Sequence, residues 1–121
     1  MLSTWKEVRA LGLGLGLPGV AIGTSWGNET LKAHGKMWVW WSPYVDAAVF
    51  KGTTDEREVL AAADPETFLR HPHYAKHGLI LVAAGRIDPG WAAARLHRTW
   101  REMAPKRMLK EWDATHGRGP D

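Results

Sequence analysis

Four short runs of strand-forming residues, joined by very short turns, constrain this chain more than any other feature. They are Val20 to Gly27, Glu29 to His34, Met37 to Trp41 and Ala47 to Lys51. Gly27-Asn28 and His34-Gly35-Lys36 supply the first two turns, and Ser42-Pro43-Tyr44-Val45-Asp46 the third. Parallel strands need a crossover of about a dozen residues, and these connections are too short for one. The runs therefore predict an antiparallel meander.

Helical signals flank the meander. Thr4-Trp5-Lys6-Glu7 reads as a capping box opening a helix to about Leu13, which Gly12, Gly14 and Gly16 weaken and Pro18-Gly19 ends. Thr53 and Glu56 form a second box, for a helix to about Ala63. Asp64-Pro65 predicts a new helical turn, pinned by Phe68 and Leu69. Gly78 to Ile87 carries Leu79-Ile80-Leu81-Val82-Ala83, the strongest strand signal. Asp88-Pro89 caps the last long helix, whose core face is Leu96, Trp100 and Met103. Pro105 interrupts it, and Met108, Leu109 and Trp112 fit a further short helix. His116 to Asp121 reads as a frayed tail. The order αββββα(α)βα predicts a two-layer α+β fold, an antiparallel meander sheet with helices on one face. A length of 121 residues fits one such domain, 1–121.

Composition removes several kinds of chemistry. Without cysteine there are no disulfides, zinc–thiolate sites or cysteine nucleophiles, which suits a reducing cytoplasm. No apolar run approaches the ~20 residues of a membrane span. Lys6 and Arg9 ahead of Ala10 to Ile22 imitate a signal peptide, but alternating glycines break the continuous apolar stretch such a peptide needs. A cytoplasmic protein without a membrane partner is the expectation. The net charge is +3, and because Asp55, Glu56, Glu58, Asp64 and Glu66 crowd one stretch, the remaining surface is more basic than the total.

Six short stretches resemble one family. They are Leu17-Pro18-Gly19-Val20, Gly23-Thr24-Ser25-Trp26-Gly27, Gly35-Lys36, Ala63-Asp64-Pro65-Glu66, His71-Pro72-His73-Tyr74 and Ala104-Pro105-Lys106-Arg107. In that order, from about Leu11 to Leu109, they resemble the MmcQ/YjbR family of small bacterial proteins. The resemblance implies a two-layer fold of the CyaY-like, or double-wing, kind and a DNA-binding role. The chain departs from the family pattern at Asn28-Glu29-Thr30-Leu31-Lys32 and in the aromatic run Trp38-Val39-Trp40-Trp41.

That aromatic run is the most informative motif, in a chain with 8 tryptophans. Alternation on a strand puts Met37, Val39 and Trp41 on one side and Trp38 and Trp40 on the other. On the helix-free side, Trp38 and Trp40 beside Lys32, Lys36 and Lys51 would make a stacking platform with basic edges, suited to nucleic acid. Lys106 and Arg107 at a helix start, with Lys110 a turn on and Arg95, Arg98 and Arg101 on the preceding helix, would extend it toward phosphates. The alternatives are plainer. The tryptophans are core or interface, making the chain a protein-interaction or homodimerisation module. The cations are a solvated helix face, with Arg98 and Glu102 paired at i, i+4. A small-ligand pocket between the sheet and the last helix, near His71 and Trp100, is a third reading.

Other motifs read as structure. His71-Pro72-His73 with His77 invites a metal, but Pro72 separates the pair and no carboxylate lies close by, so these are loop residues with Tyr74 packing. Gly12-x-Gly14-x-Gly16 lacks the preceding strand of a nucleotide loop and reads as a loosened helix end. Ser25 has no base assigned by spacing. We therefore expect no catalytic residues, no metal and no cofactor. The candidate nucleic-acid-binding set is Lys32, Lys36, Trp38, Trp40, Lys51, Arg98, Lys106 and Arg107.

Overall fold

The computed structural model describes residues 1–116. In chain order the elements are α1 (Trp5–Gly14), β1 (Val20–Ser25), β2 (Asn28–Ala33), β3 (Lys36–Trp41), β4 (Ala47–Lys51), α2 (Thr54–Ala63), β5 (Phe68–Leu69), a 3₁₀ turn (Pro72–Tyr74), β6 (Leu79–Ala83), α3 (Pro89–Met103) and α4 (Lys106–His116). The strands form one six-stranded sheet in the order β1-β2-β3-β4-β6-β5, every pair antiparallel. The predicted meander and two-layer architecture are present. Of the expected tail only His116 is described, as the last residue of α4; the rest lies outside the described residues.

Both threonines cap their helices, the Thr4 and Thr53 hydroxyls accepting the Glu7 and Glu56 backbone N–H groups, while the Glu7 carboxylate reaches back to the Ser3 backbone N–H. The glycines after α1 do more than loosen it. Gly16, at φ +66°, takes the left-handed position that closes a helix, and a Cβ on Gly12 would stand 2.6 Å from Leu31 Cδ1. Gly12 therefore lets α1 approach the sheet. The helical turn expected at Asp64-Pro65 is a single turn only. Phe68 N–H donates to the Asp64 carbonyl, and the chain then leaves as β5, where Phe68 pairs with Val82 and Leu69 with Leu81. Asp64-Pro65 nucleates a turn, but antiparallel pairing to β6 captures the residues that would continue it.

The first turn falls one residue earlier than expected, and the second is one residue shorter. Trp26-Gly27 and His34-Gly35 are the central pairs, all four residues with positive φ (54°, 78°, 55° and 81°), the pattern of two-residue type I′ hairpins.

The main departure lies in β3. Leu31 faces Val39 and Lys32 faces Met37, so Trp38 is an extra residue, a β-bulge. A bulge interrupts alternation. Trp38 and Val39 both enter the helix-side core with Leu31, Phe50, Ile80, Leu96 and Trp100, while Trp40 stays on the other face. Trp38 is fully buried, its indole N–H donating to the Leu96 carbonyl and the Thr99 hydroxyl of α3. The expectation of Trp38 and Trp40 as an exposed pair is thus corrected: the bulge divides them between the two faces.

Candidate functional site

One half of the helix-free face is covered by loops. Tyr74 packs there with Ala47, Val49 and Leu81, joined by Val45 and Leu69. Three interactions fix this cover. The Tyr74 hydroxyl bonds Ser42 Oγ at 2.9 Å, and Ser42 Oγ accepts the Tyr44 backbone N–H. Arg57 of α2, with its side chain only 7% exposed, donates to the carbonyls of Tyr74, His77 and Ala75 at 2.8, 2.9 and 3.2 Å. A planar, permanently charged donor suits three converging carbonyls.

Where the cover ends, a cleft of about 620 Å³ opens. Its walls include Trp26 from the β1–β2 turn, Trp40 and Met37 from β3, Tyr44 from the β3–β4 loop, and His73 and Tyr74 from the 3₁₀ turn. Tyr44 lies against His73 with ring centroids 4.1 Å apart. Trp26 is 98% exposed. Among the described residues no lysine or arginine lines the cleft. Its one carboxylate residue, Glu29, is engaged by α1: Arg9 at 2.6 Å and the Trp5 N–H at 3.0 Å hold its carboxyl below the usual carboxylate range. The cleft is therefore aromatic and nearly uncharged.

The sequence-derived binding residues scatter around the fold. Trp40 lines the cleft. Lys32 and Lys51 share its face, opposite the lining residues Met37 and Leu79 respectively, and the stem of Lys32 lies over Gly23. Lys36 sits at the β2–β3 turn, opposite the helix-side residue Ala33. Arg98 belongs to the helix layer, bound by Glu56 at 3.2 Å and near Glu102 at 3.7 Å. Lys106 and Arg107 open α4, which packs on α3 through Trp112 and Trp100, and Arg107 lies 3.7 Å from Glu111. The eight residues thus do not form one platform; Trp40, Lys32 and Lys51 come together, and Arg98, Lys106 and Arg107 lie on the opposite side of the sheet.

The expected ligand pocket near Trp100 also moves. Trp100 is buried in the helix layer, its N–H on the Pro18 carbonyl, and the cleft is on the other face. His73 and His77 line it, His71 does not. Among the described residues no group of three or more His, Cys, Asp or Glu could hold a metal ion, and no hydrogen bond joins Ser25 to a histidine. Sequence reasoning missed Trp26, Tyr44 and Thr30. The signal for Trp26 was present: a tryptophan directly before the glycine of a two-residue turn, where asparagine is the usual choice.

The YjbR family model matches residues 15–102. The match spans well over half of the chain, and the protein belongs to the YjbR family. It takes in β1 through nearly all of α3, cleft included, and leaves Ala104-Pro105-Lys106-Arg107 outside. No curated protein and no solved structure matches the chain. Among the described residues no helix is long and apolar enough to cross a membrane.

Proposed function

We propose that this chain is a non-catalytic binding module that holds a flat, ring-bearing ligand by stacking in the open-face cleft. The observation that carries this reading is a cleft of about 620 Å³ walled by Trp26, Trp40, Tyr44 and Tyr74. That volume lies within the range of about 300–1,000 Å³ typical of small-molecule sites, which are likewise apolar with few polar groups. Stacked rings contribute roughly 1–3 kcal/mol per contact. The test is a nuclear magnetic resonance titration of adenosine and thymidine, following indole N–H signals. Trp26 and Trp40 signals should move, and Trp40→Ala should weaken binding about tenfold, or 1.4 kcal/mol. Shifts confined to helix-layer indoles, or none at millimolar probe, would reject the cleft.

A second reading makes the ring the base of a nucleic acid, DNA by family resemblance. Lys32 and Lys51 favour it, since both lie on the open face beside lining residues. A strand laid across the cleft would meet two cations, giving a log–log salt slope of about −1.4 at −0.7 per phosphate. Oligothymidylate should then outbind thymidine, and Lys32→Ala should flatten the slope. An oligomer that binds no better than the nucleoside leaves the small ligand alone. Self-association through Trp26 and Trp40 is a competing use of this surface, and sedimentation at the titration concentration separates it.

A further inference from the structure

We propose that Thr30 is the specificity-determining residue of the cleft, so that the ligand ring carries a hydrogen-bonding edge of lactam or amide type. The inference rests on the reading of the cleft as a stacking site and adds the ligand's polar chemistry.

Thr30 lines the cleft and is only 2% exposed, and its hydroxyl oxygen is buried with no hydrogen-bond partner among the described residues. A buried hydroxyl left unpaired is costly, and folded chains rarely keep one without a reason. Comparable groups here are satisfied. Thr99 donates to the Arg95 carbonyl and accepts from Trp38, while Ser42 and Tyr74 bond each other. The other unpaired buried side-chain atom among the described residues, Arg95 Nη1, sits in the helix layer, where Arg95 is bound to Glu56 and lies over Trp91.

The cross-strand neighbours of Thr30 fix what it can serve. On one side is Gly23, with no side chain to reach the hydroxyl; on the other is Trp40, a stacking wall of the cleft. Among the described residues no hydrogen bond holds the hydroxyl in its present rotamer. A 120° turn about χ1 would carry the oxygen to the place of the methyl and the methyl to that of the hydrogen, and in either position the hydroxyl can both donate and accept. A ring stacked on Trp40 would lie next to Thr30, its cross-strand partner. A lactam offers an N–H and a C=O on one edge, so either polarity of the threonine is answered; a hydrocarbon ring offers neither and leaves the orphan in place.

The test compares 2-quinolinone with naphthalene, flat rings of one size with and without a lactam edge. Wild-type protein should favour 2-quinolinone by about tenfold, the equivalent of 1.4 kcal/mol. Thr30→Val keeps the shape and removes the hydroxyl, and it should bind the two probes equally. Thr30→Ser keeps the hydroxyl and should keep the preference. Thermal unfolding of Thr30→Val should come no lower than wild type, since no internal hydrogen bond is lost. A lower unfolding temperature, equal binding of both probes by wild type, or a preference that survives in Thr30→Val overturns the role of Thr30 and leaves the cleft standing. Failure of both probes to bind wild type removes the cleft and this role with it.

Discussion

The two faces of the sheet are built on different terms. On the helix side the large rings are packed, and three of their indole N–H groups are answered. The indole N–H groups of Trp5, Trp38 and Trp100 donate to Glu29, to Leu96 and Thr99, and to Pro18. Trp112 packs edge-on against Trp100, and Trp91 against Phe50. The helix-free side keeps unanswered groups. Trp26 is exposed on a left-handed backbone, Tyr44 is more than half exposed, the Thr30 hydroxyl is orphaned, and the Trp26 and Trp40 N–H groups have no protein acceptor among the described residues. Tryptophan is abundant on both faces, so abundance is not the distinction. A ring with all its needs met stabilises the fold; a ring with needs left open is available to a ligand.

The largest effect follows from that division. Trp38→Ala should lose roughly 3–5 kcal/mol of stability, from the cavity beneath α3 and two lost hydrogen bonds. Trp40→Ala, which differs by two positions in the sequence, should lose much less. Urea unfolding of both variants checks this. Comparable losses would mean that the faces are not energetically distinct.

The second effect is set by pH on the helix side. Glu56 is held below the usual carboxylate range, chiefly by its hydrogen bond from Arg95; burial opposes this, and the charges of Arg95 and Arg98 add to the lowering. A carboxyl with a depressed value in the folded state contributes stability above its ordinary value, and that contribution is lost as pH falls through the folded one. Glu56→Gln should therefore cost about 1–2 kcal/mol at pH 7, because Arg95 is left buried without its carboxylate. The gap to wild type should close as the pH drops below the ordinary glutamate value of 4.5. A gap that is constant from pH 7 to pH 3 would assign the loss to packing. No such pH dependence is expected for Trp26 or Trp40 variants.

What the sequence reveals follows the same split. Elements fixed by local chemistry are legible: the capping threonines, β4 from Ala47 to Lys51, and the Leu96, Trp100, Met103 stripe of α3. The double-sided burial of β3 is not, because a bulge adds one residue without any change of residue type that would mark it. Alternation read through Trp38 puts it on the wrong face. Ion pairing is equally hidden. The sequence offers Arg98 only Glu102 at i, i+4; Glu56, 42 positions away, is brought beside it by the fold. The cleft is hidden for a third reason. Its rings come from a hairpin tip, a strand, a loop and a 3₁₀ turn, each of which reads locally as punctuation or core, and only the sheet brings them around one cleft.

The smallest effect has the opposite sign and separates the faces most cleanly. Trp26 carries a left-handed backbone at φ 54°, a conformation that costs a side-chain-bearing residue roughly 1–2 kcal/mol. Its indole makes no hydrogen bond among the described residues and is almost fully exposed, so the monomer recovers little of that cost. Glycine adopts the same backbone freely but surrenders about 0.5–1 kcal/mol more entropy on folding. The difference leaves Trp26→Gly more stable than wild type by about 0.5–1 kcal/mol, a rise of about 2–4 °C in unfolding temperature. Adenosine binding should weaken in the same variant. Stability and affinity would then move in opposite directions at one residue, which a purely structural tryptophan does not allow. Should Trp26→Gly instead lose stability and bind normally, the turn tryptophan belongs with Trp38 as part of the scaffold, and the cleft must be read without it.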